Sequence, residues 1–258
     1  MAGLARSPQA AKKLESTGVE VVRGGLEDAG TVGAAAAQAD AVIHLAMEPS
    51  ARAPQLDRMA VDAVLAALRQ SGKPFVYTSG IWVMGSTGGN VVDESTPVNP
   101  VPLVAWRPAH ELLALGGAGL RGIVIRPAMV YGRGGGFPGD FQRAAREQGV
   151  VRYVGSGDNR WPFVHVDDLA DLYVRALSAP PGSLYFAADG PSLPVKEVAA
   201  AAAGGTRVEA IPIEEARRAM SPMADAFTLD QLVSAGKAVR ELGWKPRGRP
   251  VLEELALG

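Results

Sequence analysis

Phe75-Val76-Tyr77-Thr78-Ser79-Gly80-Ile81-Trp82-Val83-Met84-Gly85 passes abruptly from apolar, β-branched and aromatic residues into small polar ones. Such a run fits a strand buried on both faces, and the small residues after it fit a ligand-facing loop at its carboxyl end. Working outward, the runs at 19–23, 41–45 and 122–125 have the same short, apolar character. Between them, 10–16, 31–39, 55–70 and 107–115 have helical composition and spacing. Strand–helix–strand alternation predicts an α/β fold, a doubly wound, Rossmann-like parallel sheet. Beyond Gly132 the pattern loosens, and Gly134-Gly135-Gly136 reads as a flexible joint. His165-Val166-Asp167-Asp168, followed by Leu169, Leu172, Tyr173 and Ala176, predicts a capped amphipathic helix. The remainder, from about Pro191, is expected to form a smaller C-terminal lobe.

Composition narrows the function classes. With 258 residues, 47% of them hydrophobic, the chain can bury a substantial core. A net charge of -1 with scattered Lys and Arg argues against nucleic acid as a partner. No cysteine is present, so disulfides and thiolate chemistry are excluded. No apolar run approaches the roughly 20 residues that span a bilayer, and residues 1–13 lack the apolar core of a signal peptide. A soluble, cytoplasmic protein without a membrane partner is expected. No cluster has metal-ligand spacing, so no metal site is expected, and His165 to Asp168 read as a helix cap.

Several segments in order resemble the extended short-chain dehydrogenase/reductases, the NAD-dependent epimerase/dehydratase relatives. They are Gly24-Gly25-Leu26-Glu27-Asp28, His44-Leu45-Ala46, the opening stretch, Arg126-Pro127-Ala128-Met129-Val130-Tyr131-Gly132 and Leu242-Gly243-Trp244-Lys245-Pro246. The resemblance implies a dinucleotide-binding domain over 1–136 and about 163–190, with a small substrate lobe over 137–162 and 191–258. It implies NAD or NADP as cofactor, a small hydroxyl or carbonyl compound as substrate, and a second copy of the chain as a partner. Arg6, Ser7, Leu26, Leu45, Ala46, Thr78, Ser79, Arg107, Pro127 and Val130 are the implied cofactor contacts. Arg6-Ser7 leans toward NADP, because a guanidinium can pair with a 2′-phosphate. His44 reads as structural rather than catalytic.

The same resemblance exposes departures. The family's opening strand and Gly-rich turn have no counterpart in strand-to-helix context, so roughly 30 residues, the first strand–helix unit, are expected to be absent. Met1 to Ser7 then resemble the end of the second strand. Gly25 stands where an adenine-reading aspartate is usual, and Gly80 stands at the third serine of Ser-Ser-Ser-x-x-Val-Tyr-Gly. Aligning the family's Glu with Glu111 puts Leu103 and Arg107 at the Tyr and Lys of Tyr-x-x-x-Lys. Leucine cannot shuttle a proton, and arginine is no general base. Arg107, Ser79 and Thr78 are therefore the implied catalytic residues, Arg107 orienting the ribose, and His110 is a candidate substitute proton carrier.

The family's diphosphate-gripping arginine falls on Trp161, with Arg160 displaced by one. This weakens a nucleotide-sugar substrate. Trp82, Met84, Tyr131 and Trp161, with Arg160 at the edge, predict a fairly apolar substrate pocket. The leading expectation is an NAD(P)-linked oxidoreductase or epimerase-like enzyme with an altered site. The alternatives are a non-catalytic NAD(P)-binding or sensing protein, and a fragment that binds no cofactor as written.

Overall fold

The computed structural model describes residues 1–257. The chain opens with β1 (Ala2–Ala5), α1 (Pro8–Glu15), β2 (Glu20–Arg23), α2 (Ala29–Gln38), β3 (Val42–His44), α3 (Ala53–Leu68) and β4 (Pro74–Thr78). Short 3-10 turns at Ile81–Met84 and Pro102–Val104 flank β5 (Val91–Val92). Next come α4 (Arg107–Leu115), β6 (Arg121–Pro127), β7 (Met129–Tyr131), α5 (Gly136–Gln148), β8 (Val150–Val154), β9 (Arg160–Trp161) and β10 (Phe163–His165). The chain continues through α6 (Val166–Ala176), β11 (Ser183–Ala187), β12 (Leu193–Pro194), α7 (Val195–Ala203) and β13 (Arg207–Ile211). It ends with α8 (Ile213–Met220), α9 (Met223–Phe227), β14 (Leu232–Val233), α10 (Gly236–Leu242) and α11 (Val251–Leu255).

Two compact units emerge. One holds Met1–Thr78, Ala109–Val124 and Leu177–Ser183; the other holds Ser79–Pro108, Ile125–Ala176 and Leu184–Gly258. In the first, β1 and β2 pair in parallel, Leu4 opposite Val22, and β3 and β4 pair in parallel, Val42 opposite Phe75. Phe75, Val76 and Tyr77 are fully buried, as the uninterrupted apolar run predicts. The sheet order is β11-β6-β4-β3, with β1-β2 as a separate pair. Arg6 and Glu48, following β1 and β3, form an ion pair.

Helix ends follow local rules. The Ser7 hydroxyl accepts from Ala10 N at 3.1 Å and caps α1, and Asp28 accepts from Thr31 N at 3.1 Å and caps α2. Along α3, Leu56, Ala60, Val61, Val64 and Leu68 are buried at helical spacing, which makes an apolar face. Asp57 falls on that same face.

The second unit contains the parallel pairs β7–β10 and β8–β13 and the antiparallel pair β9–β12. Its core centres on Trp161, with Phe141 stacked against it and Phe137, Phe163 and Phe227 tilted around it. The triple glycine is a tight turn here rather than a slack joint. Gly134 and Gly136 have φ of +71° each, and α5 begins directly at Gly136. A Cβ at Gly136 would lie 1.9 Å from the Val130 carbonyl oxygen, so close backbone approach fixes this residue. The start of α6 also differs in detail from the expected cap. The His165 ring accepts from Asp167 N at 3.2 Å, while buried Asp168 accepts from Arg247 N at 2.8 Å and Gly248 N at 2.7 Å.

Candidate active site

Within the second unit, Ser79 follows β4 directly, and its N–H donates to the Ile125 carbonyl at 2.8 Å. Its side chain is buried, and its hydroxyl has no partner among the described residues. Beside it, a Cβ at Gly80 would meet nothing within 4 Å. A buried hydroxyl with no protein partner, next to open space, has its donor available to a ligand. The 3-10 turn that follows carries Trp82, stacked on Phe137 at 6.2 Å and met edge-on by Phe227 at 6.1 Å. The Trp82 Nε1 is likewise buried without a partner.

Gln231, fully buried, holds this turn by donating from Nε2 to the Ile81 and Gly85 carbonyls at 2.9 Å each. Nothing in the local sequence near 231 announces this clamp, because its partners lie about 150 positions away. Gln231→Leu keeps the bulk but strands two buried carbonyls. It is expected to lower stability by about 1–3 kcal/mol, read as a shift of the urea midpoint followed by tryptophan fluorescence.

The remaining residues expected at a substrate pocket are largely committed to the protein itself. Trp161 is a core residue whose Nε1 donates to the Phe227 carbonyl at 3.3 Å. Arg160 grips Asp230 with two nitrogens, at 2.9 and 2.7 Å. Its guanidinium is thereby matched by a carboxylate. The Met84 sulfur accepts from Arg126 at 3.3 Å. The Tyr131 hydroxyl donates toward Asp189 at 3.0 Å and the Arg249 carbonyl at 2.8 Å. Burial, then the Asp189 charge, pushes this phenol well above its ordinary range, so it stays protonated.

Leu103 packs beside Ile81, Val83, Met84 and Val104. Arg107 opens α4 with its guanidinium 4.5 Å over the Trp106 ring. Pro127 ends β6, and half-buried Val130 lies in β7.

In the first unit, Arg6 is exposed and Leu26 half-buried, and Thr78 closes β4 half-buried. Leu45 and Met47 stand 62% and 54% exposed in the loop after β3, with Ala46 exposed between them. A Cβ at Gly25 would meet the carboxylate of exposed Glu27, a side chain free to swing aside.

The principal electrostatic feature of this unit is a cluster centred on Asp57, which is 2% exposed. Asp57 accepts from His44 Nε2 at 3.0 Å, from the Tyr77 hydroxyl at 2.8 Å and from His110 Nδ1 at 2.6 Å. Burial opposes its ionisation, but the hydrogen bonds from His110 and His44, then the His44 charge and the Tyr77 bond, outweigh burial. The carboxyl is held well below its ordinary range. His44 and His110, noted separately in the sequence, are joined by a residue that sequence reasoning passed over.

Arg6 and Ser7 follow β1, and the Ser7 hydroxyl caps α1. Thr78 and Pro127 close β4 and β6, and Val130 lies in β7. From the end of β7 into the first turn of α5, Gly134, Gly136 and Gly139 have the Gly-x-Gly-x-x-Gly spacing of a pyrophosphate-seating turn, late in the chain rather than at its first strand.

A parallel α/β sheet with a polar loop at the carboxyl end of β4 defines a dinucleotide-linked Rossmann-like protein. Residues 1–185 match the model of the NAD dependent epimerase/dehydratase family. An uncharacterised protein of Schizosaccharomyces pombe is 33% identical, the match covering 98% of this chain and 89% of that protein. The 2-alkyl-3-oxoalkanoate reductase of Stenotrophomonas maltophilia is 30% identical over 76% of this chain and 67% of its own length. Among solved structures, a DesIV double mutant (a dTDP-glucose 4,6-dehydratase from Streptomyces venezuelae, with NAD bound) superposes with a TM-score of 0.82. It is 21% identical and covers 97% of this chain and 81% of its own. The chain belongs to the NAD-dependent epimerase/dehydratase family of extended short-chain dehydrogenase/reductases, with an NAD-linked oxidoreductase or epimerase-like role.

Proposed function

We propose that the chain is an NAD(P)-dependent reductase of an uncharged, apolar carbonyl compound. The observation that carries this reading is the pairing of two buried, unpartnered donors, the Ser79 hydroxyl and Trp82 Nε1, with an aromatic wall of Trp82, Phe137 and Phe227. A hydrogen-bond donor set in an apolar surface recognises a carbonyl oxygen, and it strengthens its hold as negative charge develops there. The Arg160–Asp230 pair argues against a nucleotide diphosphate, because gripping one would first require breaking a bidentate pair. The reductase among the relatives acts on a 3-oxoalkanoate, which also supports a ketone substrate.

When bound, the nicotinamide supplies the hydride. Arg107 orients the ribose, Thr78 and Ser79 line the site, and Ser79 donates to the carbonyl oxygen. Arg6 supports NADP over NAD. Its partner Glu48 holds it only in an exposed pair, which a 2′-phosphate can displace.

Fluorescence titration with NADH and NADPH, followed by turnover with acetophenone, a medium-chain methyl ketone and a dTDP-sugar, tests the reading. Micromolar binding with NADPH the tighter ligand, and ketone turnover well above sugar turnover, is the expected result. Tight binding without hydride transfer to any of these compounds would favour a sensing protein.

A further inference from the structure

Among the described residues, three buried side-chain nitrogen and oxygen atoms have no hydrogen-bond partner. All three lie in the second unit, on the segment 79–85 or on a residue bonded directly to it. Ser79 Oγ and Trp82 Nε1 are the donors already described. The third atom is Gln231 Oε1, on the residue whose Nε2 holds the Ile81 and Gly85 carbonyls at 2.9 Å each. Those carbonyls flank Trp82 in the chain, so the Gln231 amide sits against the backbone that carries the indole. Buried polar atoms without a partner are rare, and three gathered at one short turn call for a common explanation.

The chemistry of the missing partners follows from the groups themselves. Carbonyl oxygens only accept, so both hydrogens of the Gln231 amide are committed and the amide cannot be turned over. Oε1 therefore requires a donor. The indole N–H only donates and requires an acceptor, while the Ser79 hydroxyl can do either. An acceptor and a donor on one ligand describe a carbonyl compound that also bears a hydroxyl. Gly80 joins Ser79 to Ile81, and the open space where its Cβ would stand lies between the two. The nearby wall of Trp82, Phe137 and Phe227 has no charge to match an ammonium, so a neutral hydroxyl is the donor that suits it.

We propose that the substrate is an uncharged hydroxy ketone and that Gln231 selects it, accepting the substrate O–H at Oε1 while Ser79 and Trp82 donate to the carbonyl oxygen. The proposal rests on the reductase reading above and narrows its substrate class. The hydroxyl is held and not consumed: its O–H bond stays intact, and only the carbonyl is reduced. A plain ketone leaves Oε1 unpaired and is reduced more slowly. A methyl ether in place of the hydroxyl sets a second acceptor against Oε1 and is no better.

Turnover by the full chain with NADPH tests this on two matched sets. One is α-hydroxyacetophenone, its methyl ether and acetophenone; the other is β-hydroxypropiophenone, its methyl ether and propiophenone. In at least one set, kcat/KM for the hydroxy ketone should exceed that of both companions by about 50-fold or more. Gln231→Leu should lower this ratio by about tenfold or more. The ratio compares substrates on one enzyme, so a loss of folded protein, the only effect of a purely structural Gln231, leaves it unmoved. Gln231→Met serves if the leucine variant does not fold. A smaller preference in both sets, with the ketones still reduced, overturns the proposal and leaves the reductase reading intact. A preference that survives in the variant overturns Gln231 as the selecting residue. A chain that binds NADPH but reduces none of these compounds overturns both readings.

Discussion

Replacing Asp57 with alanine lowers the stability of the fold by about 3–5 kcal/mol, a large share of what holds a domain together. The lost carboxylate would leave His44, His110 and the Tyr77 hydroxyl without their shared acceptor in a buried place. The effect depends on pH in a direction set by the chemistry. The folded carboxyl ionises well below the unfolded value of about 3.9, because its hydrogen bonds outweigh burial. Its contribution is therefore fully present above about pH 5 and is lost as the pH falls below about 4. Urea unfolding of wild type and Asp57→Ala at neutral pH and near pH 3 measures both parts. The stability difference should be large at neutral pH and shrink in acid. An equal difference at both values would mean that Asp57 stabilises by packing rather than by charge.

Gly136→Ala is the second substitution with a large expected cost. The backbone there is left-handed at φ +71°, and a methyl group would sit 1.9 Å from the Val130 carbonyl oxygen. Left-handed geometry costs a non-glycine residue roughly 1–2 kcal/mol, and relieving the backbone clash costs about 1–3 kcal/mol more. The variant should lose about 2–5 kcal/mol in total, visible as a melting temperature lower by several degrees or more. Gly134→Ala makes the control. It shares the same φ but has nothing within 4 Å of its Cβ, so it should show only the smaller, conformational part.

The contrast between these two sites shows what the sequence made legible. The apolar run into β4, the helix beginning at Arg107 and the helix after His165 all follow from local periodicity and punctuation. So did the likeness to a dinucleotide-binding family, because it depends on motifs in order. The triple glycine was visible as a turn signal, but its tightness depends on Val130, which arrives through the chain's return. Asp57 was harder still, since its partners stand 13, 20 and 53 positions away. A single signal existed: residue 57 shares its helical face with Val61, Val64 and Leu68, and a carboxylate on an apolar stripe needs buried donors. The commitment of Arg160 to Asp230 had no such signal, because an arginine beside a tryptophan reads equally well as an open cation.

The departures at Gly25, Gly80, Leu103 and Arg107 are not alike once packing is seen. Leu103 packs in an apolar cluster, whereas a side chain at Gly25 would displace only the exposed Glu27 carboxylate.

Deuterium transfer from nicotinamide to product tests the central claim most directly. NADPH and NADH, each deuterated at either face of C4, would be incubated with the full chain and an apolar methyl ketone, and the alcohol examined by mass spectrometry. The account predicts an alcohol heavier by one deuterium from one face of the cofactor only. Cofactor bound by the protein, with no label reaching the ketone from either face, would contradict it.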